Sequence, residues 1–308
     1  MSLRVCILET DVLRPELVDQ YQGYGQMFQR LFSQQPIAAE FTVYNVMNGD
    51  YPADDQAFDA YLVTGSKADS FGTDPWIQTL KTYLLNRYER GDKLLGICFG
   101  HQLLALLLGG KSERASQGWG VGIHNYQMAA KAPWISPVVE ELTLLISHQD
   151  QVTALPENAT VIASSDFCPF AAYHINDQVL CFQGHPEFIH DYSRALLDIR
   201  QQNLGEKIYS SGVASDVSEG STKTKDVLVE APRENALACL LAEADGKFGG
   251  GENPDEGGGK SVDIVHRVDQ AIDTICDEVG LTADVIGDDD GTTSVHYFVD
   301  DQAPGFVA

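Results

Sequence analysis

Along the first third of the chain, apolar positions come in short, nearly continuous runs separated by segments of helical period. The runs "LRVCIL" (3–8), "FTVYNV" (41–46), "AYLVTG" (60–65) and "KLLGI" (93–97) predict strands, and their weak polar alternation predicts burial on both faces. Between them, "YGQMFQRLF" (24–32) and the stretch 75–89 space apolar residues three and four apart, as an amphipathic helix does, and another helix is predicted over 101–108. Strands alternating with helices in this way predict an α/β fold, a doubly wound, mostly parallel sheet with helices on both faces.

The texture changes after Gly109-Gly110. "VGIHNYQM" (121–128), "LTLLISH" (142–148), "TVIASS" (160–165) and "QVLCFQG" (178–184) read as strands joined by turns, and 188–203 as a closing helix. A first domain is therefore expected over 1–205, with a boundary near 205–215. Residues 206–260 read as a flexible Ser/Gly/acid-rich segment, from "SSGVASDVSEGSTKTKD" to the linker-like "GGGENPDEGGG", with a short helix over 234–248 between them. In 261–308, Val265, Val268, Ile272, Ile275 and Val279 share one helical face, and two strand-like runs flank Asp290-Gly291, so a small acidic α+β module with a hairpin is expected. The cluster Asp288-Asp289-Asp290-Gly291 lacks the alternating acids and distal Glu of a calcium loop and reads as a solvated hairpin tip.

Composition and charge remove several function classes. No apolar run approaches the length of a membrane span, and the N-terminus meets charge at Arg4 without an apolar signal core, so a cytoplasmic location away from the membrane is expected. The formal net charge is −25, with 13 basic against 23 acidic residues in 1–200 and 7 against 22 in 201–308. That balance argues against nucleic acid or an anionic membrane as a partner, since both require a basic footprint. Six scattered cysteines without a C-x-x-C pair predict free thiols rather than disulfides or zinc, and no metal or other cofactor is expected.

One of those cysteines, Cys98, stands between two glycines in Gly96-Ile97-Cys98-Phe99-Gly100, with a predicted strand before it and a predicted helix after it. A nucleophile elbow needs this order: small residues two before and two after the nucleophile let a strained strand-to-helix turn close. A helix N-terminus aimed at the sulfur favours its reactive, negatively charged form. The pentapeptide alone leaves open a buried structural cysteine, the commoner role of a free thiol. A base is needed, and among eight histidines His185 stands out in "CFQGHPEF". It follows an apolar run, Glu187 lies two residues on, and Pro186 between them predicts an extended backbone that turns both side chains the same way. A carboxylate so placed orients and stabilises an imidazolium.

"GICFGHQLLA" together with "GHPEF" resembles the class I glutamine amidotransferases, as do "LVTGS" (62–66), "DPWI" (74–77), "GGKSERASQGWGVG" (109–122) and "SHQDQV" (147–152), all in the family's order over about 1–205. The resemblance implies a flavodoxin-like α/β domain, with Cys98 as nucleophile, His185 as base and Glu187 as its orienting carboxylate. It implies an oxyanion hole from the backbone N–H groups of Gly65 and Phe99, and substrate contacts from Ser66, Gln102, His148 and Asp150. Gly120 stands where relatives often carry an acidic residue.

The chemistry implied is hydrolysis of the γ-amide of glutamine through a γ-glutamyl thioester, giving glutamate and ammonia, with an ammonia-accepting synthase as a possible partner. Within that family the chain resembles stand-alone GMP-synthase-like amidotransferases and the related γ-glutamyl peptidases, which act on γ-glutamyl compounds with the same triad. A non-catalytic binding or regulatory protein on the same fold is the third alternative. No ATP-pyrophosphatase domain is recognisable in 206–308, so a full GMP synthase is not expected.

Overall fold

The computed structural model describes residues 2–34, 38–129, 140–218, 281–287 and 293–299. The predicted buried runs form the parallel half of the main sheet: β1 (Leu3–Glu9), β2 (Ala39–Asn45), β3 (Ala60–Val63) and β4 (Lys93–Ile97). Within this half lie the helices α1 (Pro15–Tyr21), α2 (Tyr24–Ser33) and α3 (Pro75–Glu89), and α4 (Phe99–Leu107) follows β4 after a single residue. Next come β5 (Lys111–Arg114), β6 (Gly120–Met128), β7 (Glu141–His148), β8 (Asp150–Ala154), β9 (Ala159–Ser164), β10 (Ala172–Ile175) and β11 (Val179–Phe182). Two helices close the unit, α5 (His190–Leu204) and α6 (Glu206–Ser218).

Nine strands make one mixed sheet in the order β2-β1-β3-β4-β11-β10-β9-β6-β7. The pairs from β2 to β11 are parallel and those from β11 to β7 antiparallel, which explains why the sequence changes texture after Gly110. β5 and β8 form a separate antiparallel pair. Strand alternation splits the core between the two faces. Val5 and Ile7 of β1 pack with Phe28, Leu31 and Phe32 of α2, while Cys6 and Leu8 point to the other face with Ile77, Leu80 and Leu84 of α3 and Leu103 and Leu104 of α4. The doubly wound α/β expectation is met. Short elements without clear periodicity, α1, β5, β8 and β10, were not anticipated.

The start of the expected flexible segment is instead helical. α6 packs on β6 by close approach of small groups: Gly122 has φ +81, and a Cβ there would meet Ser215 Oγ at 2.2 Å and Gly212 O at 2.9 Å. Ser215 Oγ accepts from the Ile123 N–H (3.1 Å) and donates to Gly212 O (2.7 Å). The Ser and Gly content that reads as a loop is here the contact surface of a helix, beside buried Val121, Leu197 and Leu204. The predicted boundary at 205–215 thus falls inside a packed element. In a second unit, β12 (Leu281–Gly287) and β13 (Thr293–Val299) pair antiparallel with Leu281 opposite Val299, where the sequence predicts a hairpin. The predicted helices over 234–248 and 265–279, the glycine-rich stretch 249–259 and the acidic turn lie outside the described residues.

The junction of β4 and α4 depends on two missing side chains. A Cβ on Gly100 would lie 2.5 Å from Val63 O and 2.8 Å from Val63 Cβ, and one on Gly96 would lie 2.7 Å from the carbonyl carbon of Gly100. Because backbone cannot yield as a flexible side chain can, Gly100→Ala is expected to lower stability by about 1–3 kcal/mol, measured as a shift of the denaturation midpoint. A chain ended after Leu204 is expected to be less stable by about 2–4 kcal/mol than one ended after Ser218, since it uncovers Val121 and Leu197. Equal thermal melting of the two would refute a structural role for α6.

Candidate active site

β4 delivers Cys98 to the carboxyl edge of the parallel strands, and α4 begins at the next residue. Cys98 has φ 50 and ψ −96, a strained conformation for a residue with a side chain, of the kind held only where surrounding structure enforces it. Its N–H donates to Phe182 O on β11 (2.8 Å), and its side chain is buried. Gly65 lies beside it: a Cβ at that position would meet His185 Cε1 at 2.8 Å and Cys98 Cβ at 3.5 Å. Gly65 O is turned to Thr10 Oγ1 (3.0 Å), and among the described residues neither the Gly65 nor the Phe99 N–H donates to a protein acceptor. These amides stand where the sequence resemblance places oxyanion donors.

His185, Glu187 and Cys98 come together. His185 Nδ1 donates to Glu187 Oε1 at 2.8 Å, with both side chains buried, and the imidazole and Cys98 flank Gly65 together, close enough to interact electrostatically. The local backbone differs from the extended segment expected around Pro186. His185 bridges to Leu145 on β7, its N–H donating to Leu145 O (2.9 Å), and Pro186 and Glu187 then form a turn closed by the Phe188 N–H on His185 O (3.4 Å). Proline's fixed φ serves a turn as well as a strand, so the two side chains meet by folding back rather than by alternation. Phe188 stacks on the imidazole with centroids 3.9 Å apart and 12° between planes. Burial by itself would strip the proton from His185, but the Glu187 carboxylate and Cys98 outweigh it and raise the imidazole to about 10.

The other predicted positions line or support the same cleft, a space of about 190 Å³ with Cys98 in its wall. Gln102 Nε2 donates to Asp150 O (2.8 Å) and Gln183 Oε1 (3.2 Å). His148 Nδ1 contacts Asp150 O (3.1 Å); a carbonyl only accepts, so Nδ1 carries the proton and buried Nε2 is left as an acceptor without a hydrogen-bond partner. Burial, with His124 and His185 nearby, drives His148 down to about 3, so it stays neutral. Ser66 faces the cleft, but its hydroxyl already donates to Thr10 O (2.7 Å) and accepts from Ala68 N–H (3.1 Å), holding the loop after β3. Asp150 is bound by Arg114 Nε at 2.5 Å; burial and neighbouring Asp69 push it up to about 6 against that cation's pull.

Three contributors escaped the sequence reading. Gln183 is fully buried, and its Nε2 is 3.6 Å from Cys98 Sγ; a polar residue closing an apolar strand was its only signal. Arg114 contacts Asp150 from a strand too short to predict. Phe167 fills the space over Gly120, where a Cβ would come within 2.5 Å of the ring, so no acidic side chain fits at 120 without moving it. His101 is the structural counterexample: its Nε2 is 2.8 Å from Phe170 O, and burial lowers it to about 3. Among the described residues no group of three or more His, Cys, Asp or Glu is placed to hold a metal ion, and no helix is long and apolar enough to cross a membrane.

A family model, glutamine amidotransferase class-I, matches residues 17–198. The chain is 31% identical over 185 residues to γ-glutamyl peptidase 2 of Arabidopsis thaliana, which spans 58% of this chain and 74% of that protein. It is 37% identical over 122 residues to the glutamine-hydrolyzing GMP synthase of Lactococcus lactis, 39% of this chain but 22% of the synthase. In fold it is similar to the crystal structure of a glutamine amidotransferase from Thermotoga maritima, with a TM-score of 0.63 at 16% identity over 80% of this chain and 99% of that one. Since the family model covers more than half of its length, the chain belongs to the class-I glutamine amidotransferases.

Proposed function

We propose that the protein is a cysteine-dependent hydrolase of γ-glutamyl amides, acting on glutamine to release ammonia and glutamate. The observation that carries this reading is His185 bonded to Glu187 and set beside Cys98 at Gly65, with Cys98 mounted on a strained strand-to-helix turn. In the reaction, Cys98 Sγ attacks the δ-carbonyl carbon, and the carbonyl π pair moves to oxygen, where the N–H groups of Gly65 and Phe99 stabilise it. His185 gives its proton to the leaving nitrogen as the C–N bond breaks, leaving a γ-glutamyl thioester. His185 then takes a proton from water, whose oxygen attacks the thioester carbon; the C–S bond breaks, and glutamate departs. Glu187 holds the imidazole in the tautomer both steps need. Gln102, His148 and Asp150 form the wall against which the glutamyl group binds.

A second reading, hydrolysis of γ-glutamyl peptides by the same residues, is favoured by similarity to γ-glutamyl peptidase 2 over most of that protein's length. The cleft is also lined by Arg14, Trp119, Arg200 and Asn203, and its volume of about 190 Å³ leaves space for a group larger than ammonia. Similarity to part of a GMP synthase supports delivery of ammonia to a synthase partner if glutamine is the substrate. Four cysteines described as free and buried agree with a reducing, cytoplasmic setting.

The separating experiment compares ammonia released from glutamine with amino acid released from γ-glutamyl dipeptides. Cys98→Ala is expected to abolish both, and His185→Gln to lower kcat roughly 10²–10⁴-fold. Full activity in Cys98→Ala would overturn the assignment. A second prediction concerns pH. Because His185 is raised in the folded state, its contribution to stability is fully present below the unfolded value near 6.5 and is lost as pH rises through about 10. Glu187→Gln removes the main raising partner, so the fall in stability between those pH values should be shallower in the variant, measured by denaturant unfolding across that range.

A further inference from the structure

Arg114 lies outside the cleft yet touches both of its walls, and the geometry points to a positioning role: it latches the loop after β3 to the β7–β8 turn and so sets the width of the substrate site. The inference rests on the γ-glutamyl reading of that cleft. One wall is the loop 66–70, where Ser66, Lys67 and Asp69 face the cavity; the other is the turn carrying His148 and Asp150. Arg114, the last residue of β5, places Nη2 3.1 Å from Asp69 Oδ1 and Nε 2.5 Å from Asp150 Oδ1. β5 and the residue after it add two further ties, Ser70 Oγ to Ser112 Oγ (3.2 Å, buried) and the Ala115 N–H to Gln149 O (2.9 Å).

A half-exposed ion pair contributes little to stability, and the significance here is geometric. The Asp69 and Asp150 carboxylates both bind the one Arg114 guanidinium, so without that cation between them two like charges would face each other and push the walls apart. The charged and titratable groups on this side are few. Asp69 comes from the loop, Arg114 from β5 and neutral His148 from β7. Lys67 is committed to Asp11 (2.7 Å), Glu113 accepts from Thr153 Oγ1 (2.7 Å), and α4 presents uncharged Gln102. Displacement of Asp150 carries Gln102 and His148 with it, because both bond to its carbonyl. Cys98 and His185 are anchored separately, to Phe182 and Leu145. Loss of the latch therefore weakens substrate binding more than it slows chemistry.

The test is steady-state kinetics on glutamine and on γ-glutamylalanine, with hydrogen exchange of the full-length protein in parallel. Arg114→Gln is expected to raise KM about tenfold at pH 8 while kcat changes by no more than about twofold. Arg114→Lys, which keeps the charge but not the fork, should fall between the two. Adding Asp69→Asn to Arg114→Gln removes the repulsion and supplies an amide donor to Asp150, so KM should return toward the parent value. The ratio of variant to parent KM should also shrink as pH falls toward 6, where protonation of Asp150 removes one of the two facing charges. Amides in 66–70 and 149–152 should exchange faster in Arg114→Gln and slow again in the double variant. An unchanged KM, a matching loss in kcat, or failure of Asp69→Asn to restore KM would overturn the latch. If the parent hydrolyses neither substrate, the γ-glutamyl reading falls on its own, and exchange that is unaltered in Arg114→Gln overturns the latch separately.

Discussion

Everything at the candidate site follows from how closely α4 approaches the sheet. β4 must end, reverse and enter a helix within one residue, and that is possible only because positions 96 and 100 carry no side chain to strike Val63, Cys181 or each other. The strain of the turn is concentrated on Cys98, whose positive φ lifts its side chain off the strand axis and sets it at the helix N-terminus. Hydrophobic burial on both faces, Leu94 and Phe99 on one and Leu95 and Ile97 on the other, clamps the flanking elements so that the turn cannot relax.

The same side chain is tuned in opposite directions within one small region. His101, His148 and His185 are all buried, and burial alone favours the neutral ring. His101 and His148 meet only carbonyl oxygens and neutral neighbours at hydrogen-bonding distance, and both fall to about 3. His185 meets a buried carboxylate and a thiol and holds its proton to about 10. Which of these histidines keeps its proton is thus decided chiefly by one partner, Glu187, delivered by a turn rather than by the strand periodicity that suggested it.

Much of this was legible in the sequence because it is written in strong local signals. Buried parallel strands are continuous apolar runs, and a sharp strand-to-helix turn carries its glycines at fixed offsets, so β1, β3, β4, α4 and Cys98 could be placed directly. His185 with Glu187 was legible as a pair, although the backbone joining them was not. Illegible were features whose meaning lies in a distant partner. Gly212 and Ser215 look like loop residues until Gly122 is seen opposite them, and β5 is a four-residue strand whose pairing with β8 no periodicity announces. Gln183 is one polar side chain in an apolar context, and only its contacts with Gln102 and Cys98 distinguish it from a strand end.

The ring of Phe167 over Gly120 has a consequence for how this cleft can diversify. A side chain at 120 claims volume held by the aromatic ring at 167 and, at 2.7 Å, by Ile146 Cδ1, so the occupancy of position 120 is tied to both neighbours. A descendant acquiring an acid at 120 first would meet a clash, and one losing the ring first would open a void against Ile146 and His148. Two sites forty-seven residues apart in sequence are therefore coupled through shared volume, and a change of charge at 120 requires room to be made at 167 and 146.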